Sequence, residues 1–125
     1  MPDVTLLVGT TKGAFLISSD AARSAWTVRG PFCDGWPINH VIGDPVTGRI
    51  WAGGGGDWHG AGVWRSDDGG ATWELSLLSY GQMDDWLAND PEGAAYVGLT
   101  ASPPAPFGKT IKTLWSLGRV GDRLY

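Results

Sequence analysis

Apolar residues in this chain come in short runs broken by glycine, aspartate, serine and proline. In the central part, Ile38 to Gly43, Arg49 to Gly53, Gly62 to Ser66 and Thr72 to Leu77 read as four short strands. They are joined by Asp44-Pro45-Val46-Thr47-Gly48, by the glycine run Gly53 to Gly56, and by Ser66-Asp67-Asp68-Gly69-Gly70-Ala71-Thr72-Trp73. Apolar runs bounded by such turn residues predict antiparallel hairpins. The pattern also repeats. Gly13-Ala14-Phe15-Leu16-Ile17-Ser18-Ser19-Asp20 followed by Trp26 lies over Gly60 to Asp67 followed by Trp73 without a gap, preceded in each copy by a strand (Thr5 to Gly9 and Ile50 to Gly53). A third copy begins at Trp115-Ser116-Leu117, which echoes His40-Val41-Ile42, and runs to Arg123-Leu124-Tyr125.

The turn from Ser66 to Trp73 has a mechanical task at each fixed position. Ser66 and Asp68 carry short side-chain oxygens that accept from backbone N–H groups a few residues on. Gly69 and Gly70 supply positive φ, Thr72 suits re-entry into a strand, and Trp73 is a large apolar anchor. In the first copy Ala21, Arg23 and Ala25 stand where Asp68, Gly70 and Thr72 would be, so that turn reads as degenerate.

The pattern Ser, any, Asp, any, Gly, any, Thr, Trp resembles the Asp-box, or BNR repeat, of sialidases, sortilin-type receptors and many β-propellers. Gly30-Pro31-Phe32, Trp36 and Asn39-His40-Val41 extend the likeness to bacterial sialidase-like, glycosyl-hydrolase-like BNR repeat proteins. The resemblance implies an all-β fold, a β-propeller fragment of about two to three four-stranded antiparallel blades with Asp-box hairpins. It implies one partial domain over residues 1–125, with part of a first blade at 4–30, a second at 37–78, an insertion at 79–110 and the start of a third at 111–125. The first unit lacks its innermost strand. The remaining blades, or self-association, are expected to cover the open edges.

Within the insertion, Met83 to Asp90 suits a turn or two of helix that Pro91 and Gly93 end, and Ala101 to Pro106 reads as a rigid proline-rich loop. Strand order places the Asp-box turns at one end. At the other end it gathers Thr10 to Lys12, Pro31 to Asn39, Gly54 to Gly60 and Leu78 to Lys109.

The chain has 125 residues, with 20 glycines, eight tryptophans and few charged residues, which agrees with a tight-turned β protein. A net charge of −4 with scattered lysines and arginines argues against a nucleic-acid partner. The lone Cys33 excludes an internal disulfide. The start, Met1-Pro2-Asp3 followed by Val4 to Val8, has neither a basic nor a long apolar segment, so a cytoplasmic protein without membrane contact is expected.

Candidate ligand-binding residues at the loop-rich end are Trp36, Asn39, His40, Asp57, Trp58, His59 and Trp115, since aromatic faces beside acids and imidazoles suit a small, glycan-like ligand. Asp68 is assigned a structural part with Ser66, Gly70, Thr72 and Trp73. No metal or cofactor is expected: Asp57, His59 and His40 lack a third ligand at recognisable spacing, and Gly53 to Gly56 lacks the Lys-Ser/Thr pair of a phosphate loop.

Sialidases that resemble this chain in the Asp-box use three arginines, a Tyr-Glu pair and an aspartic acid. Here Trp36-Pro37-Ile38 stands where an Arg-Ile-Pro motif would be, and only Arg29 is expected near the loop-rich end. Ligand recognition is therefore the first reading. An exo-α-sialidase-type glycoside hydrolase, with catalytic residues mostly in missing blades, is the alternative. An assembly or interaction scaffold, as in the propellers it resembles among photosystem assembly proteins, is a further one.

Overall fold

A computed structural model describes residues 3–99, 102–121 and 123–125. The expectations for Met1-Pro2, for Ala101 in the proline-rich loop and for Asp122 lie outside the described residues. The elements are β1 (Val4–Thr10), β2 (Gly13–Ser19), β3 (Trp26–Phe32), β4 (Ile38–Gly43), β5 (Ile50–Gly56), β6 (Gly60–Ser66), β7 (Glu74–Ser79), α1 (Gln82–Asn89), α2 (Pro91–Tyr96), β8 (Arg119–Val120) and β9 (Arg123–Leu124). The chain is mostly β. Antiparallel sheets of order β1-β2-β3 and β4-β5-β6-β7 hold most of the strand residues, with β8-β9 a short hairpin.

The two large sheets are related by the repeat. Leu6, Ile17 and Val28 are cross-strand partners in the first sheet, and Ala52, Trp64 and Leu75 are partners in the second. Ala14 and Leu16, on the opposite face of β2 from Ile17, pack with Val41, Ile50, Ala52, Trp64 and Leu77 in one core cluster, so one face of the second sheet is covered by the first. The equivalent face of the first sheet has no such cover among the described residues. Leu6 is 47% exposed and Val28 62%.

The turn after β6 closes as its residues dictate. Ser66 Oγ accepts from Gly70 N (2.8 Å) and donates to Asp68 Oδ1 (2.8 Å), while the Asp68 carboxylate accepts from Thr72 N (2.9 Å) and Thr72 Oγ1 (2.5 Å). Trp73 donates through Nε1 to Gly70 O (3.0 Å) and packs its ring 5.7 Å from Phe32 of the neighbouring sheet. The anchor thus joins two sheets.

The first turn keeps the aspartate clamp in a different register. Asp20 accepts from Ser24 N (2.9 Å) and Ser24 Oγ (2.8 Å), an i to i+4 clamp set one residue earlier than in the second copy. The turn is degenerate as expected: the aspartate clamp is kept one residue earlier, but Ser19 Oγ donates to Asp20 O (3.1 Å) and Arg23 N to Asp20 O (3.0 Å) instead of the chain closing on the serine as at Ser66. Trp26, the counterpart of Trp73, is 46% exposed, since no sheet packs over it among the described residues.

Three other expectations change. β5 continues through Gly56, and the turn falls on Asp57 to His59; a side chain at Gly54 would strike the Pro37 carbonyl, so the glycines serve close approach rather than the turn. Pro91 does not simply end the helical segment: it opens α2 at a first-turn position where its missing N–H costs nothing, with Asp90 Oδ1 capping Gly93 N (3.0 Å). The segment from Ile111 to Gly118, expected to start a strand, forms no regular ladder. It lies across the second sheet instead, with Leu117 against Gly53.

Gly70 has φ +100, and a methyl group there would overlap Cδ1 of fully buried Leu16, whereas Gly69 (φ +72) faces open space. Gly70→Ala is expected to lower unfolding stability by about 2 to 4 kcal/mol, combining left-handed strain with overpacking. Gly69→Ala carries the strain alone, about 1 kcal/mol. Denaturant midpoints at constant slope measure both, and equal losses would show that room at Leu16 is not limiting.

The bonds from Thr72 and Ser66 hold the Asp68 carboxyl at about 2, below its ordinary 3.8. The folded state favours the ionised form, so this stabilisation is complete above the unfolded value and is lost as pH falls through about 2. Asp68→Asn is therefore expected to be less stable than the parent at neutral pH. The difference in denaturant midpoint should narrow between about pH 4 and pH 2.

Candidate functional site

Antiparallel order sends the turns after β2, β4 and β6 to one end of the sheets, and the loops after β1, β3, β5 and β7 to the other. At the second end the link from β3 to β4 turns through Cys33 (φ 72) and Asp34 (φ 51), and Trp36 N donates to Cys33 O (3.0 Å). This left-handed turn drives Trp36 inward to 3% exposure, where it meets the Trp64 ring edge-on at 5.7 Å and the His59 ring at 5.2 Å. Trp36 is a core residue as well as a wall of this end.

The β5–β6 loop holds α1 in place. Gln82 N donates to Asp57 O (2.8 Å) and Met83 N to Trp58 O (2.9 Å), so loop carbonyls satisfy N–H groups that a helix start leaves open. Asp84 Oδ2 accepts from Gly81 N (2.6 Å), and its other oxygen accepts from Ser102 Oγ. Asp84 is buried, while its neighbour Asp85 turns outward to Lys109 Nζ (2.6 Å). Adjacent in sequence, the two carboxyls point to different surroundings and form no pair.

The seven sequence candidates fall into three places. Trp36 and His59 meet inside. Asn39 and His40 secure the segment that follows the insertion: Asn39 Nδ2 donates to Thr113 Oγ1 (3.0 Å) and Leu114 O (2.7 Å), and His40 Nδ1 accepts from Leu117 N (2.7 Å). That bond leaves the His40 proton on Nε2. Asp57, Trp58 (47% exposed) and Trp115 (76% exposed) stand at the surface. Thus His40 and Trp115, matched by the repeat, have different environments, because only His40 lies in a strand.

A cleft of about 170 Å³ beside the β5–β6 loop brings Asp57 together with Tyr80, Asp85, Lys109 and Lys112. Lys109 comes from the far end of the insertion and Lys112 from just beyond it, and no local spacing signals them. Among the described residues no three His, Cys, Asp or Glu side chains converge as a metal site. No described helix is long and apolar enough to cross a membrane.

Burial holds the His59 imidazole below its usual pKa, against the opposing pull of Asp84 and Asp34. Cys33 is buried, and burial followed by the Asp34 charge pushes its thiol up to about 12. The arginines gather at the other end. Arg29, expected near the loop-rich end, donates instead to Gly69 O (3.3 Å) in the turn after β6. Its strand position opposite Leu16 directs the long side chain along the sheet to the turn. Arg49 and Arg65 share Asp67, and Arg119 reaches Asp44 at 3.6 Å, all in turns of that same end.

Comparison with models of known protein families and with curated proteins finds no match for the chain.

Because thiolate is the reactive form, Cys33 is expected to resist Ellman's reagent at about pH 8 in the native protein and to react fully in denaturant. Rapid labelling of the folded chain would show that the link between β3 and β4 opens readily.

Proposed function

We propose that this chain is part of an Asp-box (BNR) repeat β-propeller of the sialidase-like kind, and that its loop-rich end recognises a small, glycan-like ligand without acting on it chemically. The observation that carries the reading is the shared aspartate clamp of the two turns, at Asp20 and Asp68, at one end of two sheets related by register. Tertiary packing of an apolar anchor between successive sheets, as Trp73 makes with Phe32, is how stacked repeats bury a continuous core. The exposed first-sheet face at Leu6 and Val28 is the surface that a further repeat unit, or a second copy, would cover.

Recognition is favoured over hydrolysis by where the charges lie. Among the described residues, Arg23, Arg29, Arg49, Arg65 and Arg119 bond to turn residues, all but Arg119 within the clamp-bearing end alone. An anionic sugar would meet no arginine clamp at the loops. There the exposed rings of Trp58 and Trp115, with Asp57, offer stacking faces and a hydroxyl acceptor for a neutral glycan.

A glycan array probed with the chain, and with Asp57→Ala and Trp58→Ala variants, tests the reading. Binding that falls about tenfold or more in the variants, with no turnover of a fluorogenic sialoside, is the expected result. Turnover of that sialoside would replace it with the hydrolase reading. A stoichiometric protein partner in the absence of glycan binding would favour the scaffold.

A further inference from the structure

Under the helical insertion, apart from Asp57 and Trp115, lies a cavity of about 300 Å³. The second sheet contributes Trp64, Leu75 and Leu77 to it, the β3–β4 link contributes Trp36, and α1 contributes Met83 and Leu87. This size is at the lower end of the range for small-molecule pockets.

Two observations meet there. Among the described residues the buried side-chain polar atoms without a hydrogen-bond partner are Trp64 Nε1 and His59 Nδ1, and both residues line this cavity. Trp64 is 6% exposed, so its N–H has no ready access to bulk water. Leaving such groups unmatched is costly and uncommon, which makes a coincidence of two around one cavity informative. The indole N–H can only donate. The imidazole Nδ1 accepts in one tautomer and donates in the other, and a hydroxyl answers both because it does either.

Charge narrows the class. The titratable side chains lining the cavity are Asp34, Asp84 and His59, with no lysine or arginine among them. Asp84 has both oxygens engaged, by Gly81 N and Ser102 Oγ, and faces inward; Asp34 is exposed at the rim. Two carboxylates oppose an anion. The desolvated imidazole, its pKa lowered by burial, adds no positive charge to offset them.

We propose that this cavity binds a small, uncharged, hydroxyl-bearing molecule, a neutral monosaccharide or polyol, through hydroxyls that meet the Trp64 indole N–H and His59 Nδ1. The aromatic and aliphatic wall receives its C–H face. The site is built by the helical insertion, the second sheet with its β5–β6 loop, and the β3–β4 link. It stands whether or not the propeller reading does.

The test is titration of the full chain, with indole N–H resonances followed by NMR, against methyl glucoside, inositol and glycerol as neutral probes, and glucuronate and choline as charged ones. Triple-resonance assignment identifies the Trp64 peak, and its disappearance in Trp64→Phe corroborates this. The expected result is a saturable shift of the Trp64 resonance by at least one neutral probe, about tenfold weaker in His59→Phe and with both charged probes. Met83→Trp, which fills the cavity from α1, should abolish it, and remains available where the core substitution does not fold. No saturable shift with any neutral probe would mean a cavity that holds only water, and would overturn the proposal. So would tighter binding of glucuronate or choline, a shift confined to Trp58 or Trp115, or a response unchanged in Met83→Trp.

Discussion

One missing side chain lets the two sheets share a core. Gly70 sits where the turn after β6 crosses Leu16, and only a backbone without Cβ, in a left-handed conformation, passes that close. The clamp from Ser66, Asp68 and Thr72 fixes the turn in that conformation, and Trp73 then reaches Phe32. Polar bonds set the geometry and apolar burial supplies the driving force, so neither part works alone. Surface carboxylates ordinarily add little to stability. Asp68 differs because its partners are local and are held in place by the chain itself.

The same economy explains the insertion. Its first helix needs partners for the N–H groups of its first turn, and it takes them from the carbonyls of Asp57 and Trp58 and from the inward-turned Asp84. The β5–β6 loop and α1 are therefore one mechanical unit. Its position over Trp64 and Leu77 encloses space that a closer fit would have filled, and the two unmatched polar atoms are the mark of that enclosure.

Much of the β architecture was legible because its signals are local. Positions such as Ser66, Asp68 and Gly70 act within a few residues, and alternation in the strands reports which face is covered; β4 falls where its apolar run predicts. The missing first strand was readable from the repeat, and the first sheet has three strands. The clamp at Asp20 escaped ungapped alignment because the bond needs only a four-residue separation, not a fixed offset from the preceding strand. Less of the candidate site was legible. Trp36 and His59 do meet, but Asn39 and His40 are engaged by Thr113, Leu114 and Leu117, over seventy residues away. Arg29 was misplaced for a related reason: a strand gives the direction of Cβ, and a guanidinium travels well beyond it. Lys109 enters the loop cleft through tertiary folding that no spacing rule encodes.

The row formed by Leu6, half-buried Ile17 and Val28, exposed at both ends, is chemically the same kind of surface as Ala52, Trp64 and Leu75 one repeat later, where it packs into the core. Water in contact with it is displaced more readily as excluded salts such as sulfate are added. Such salts therefore favour any arrangement that covers this stripe, whatever the net charge of −4.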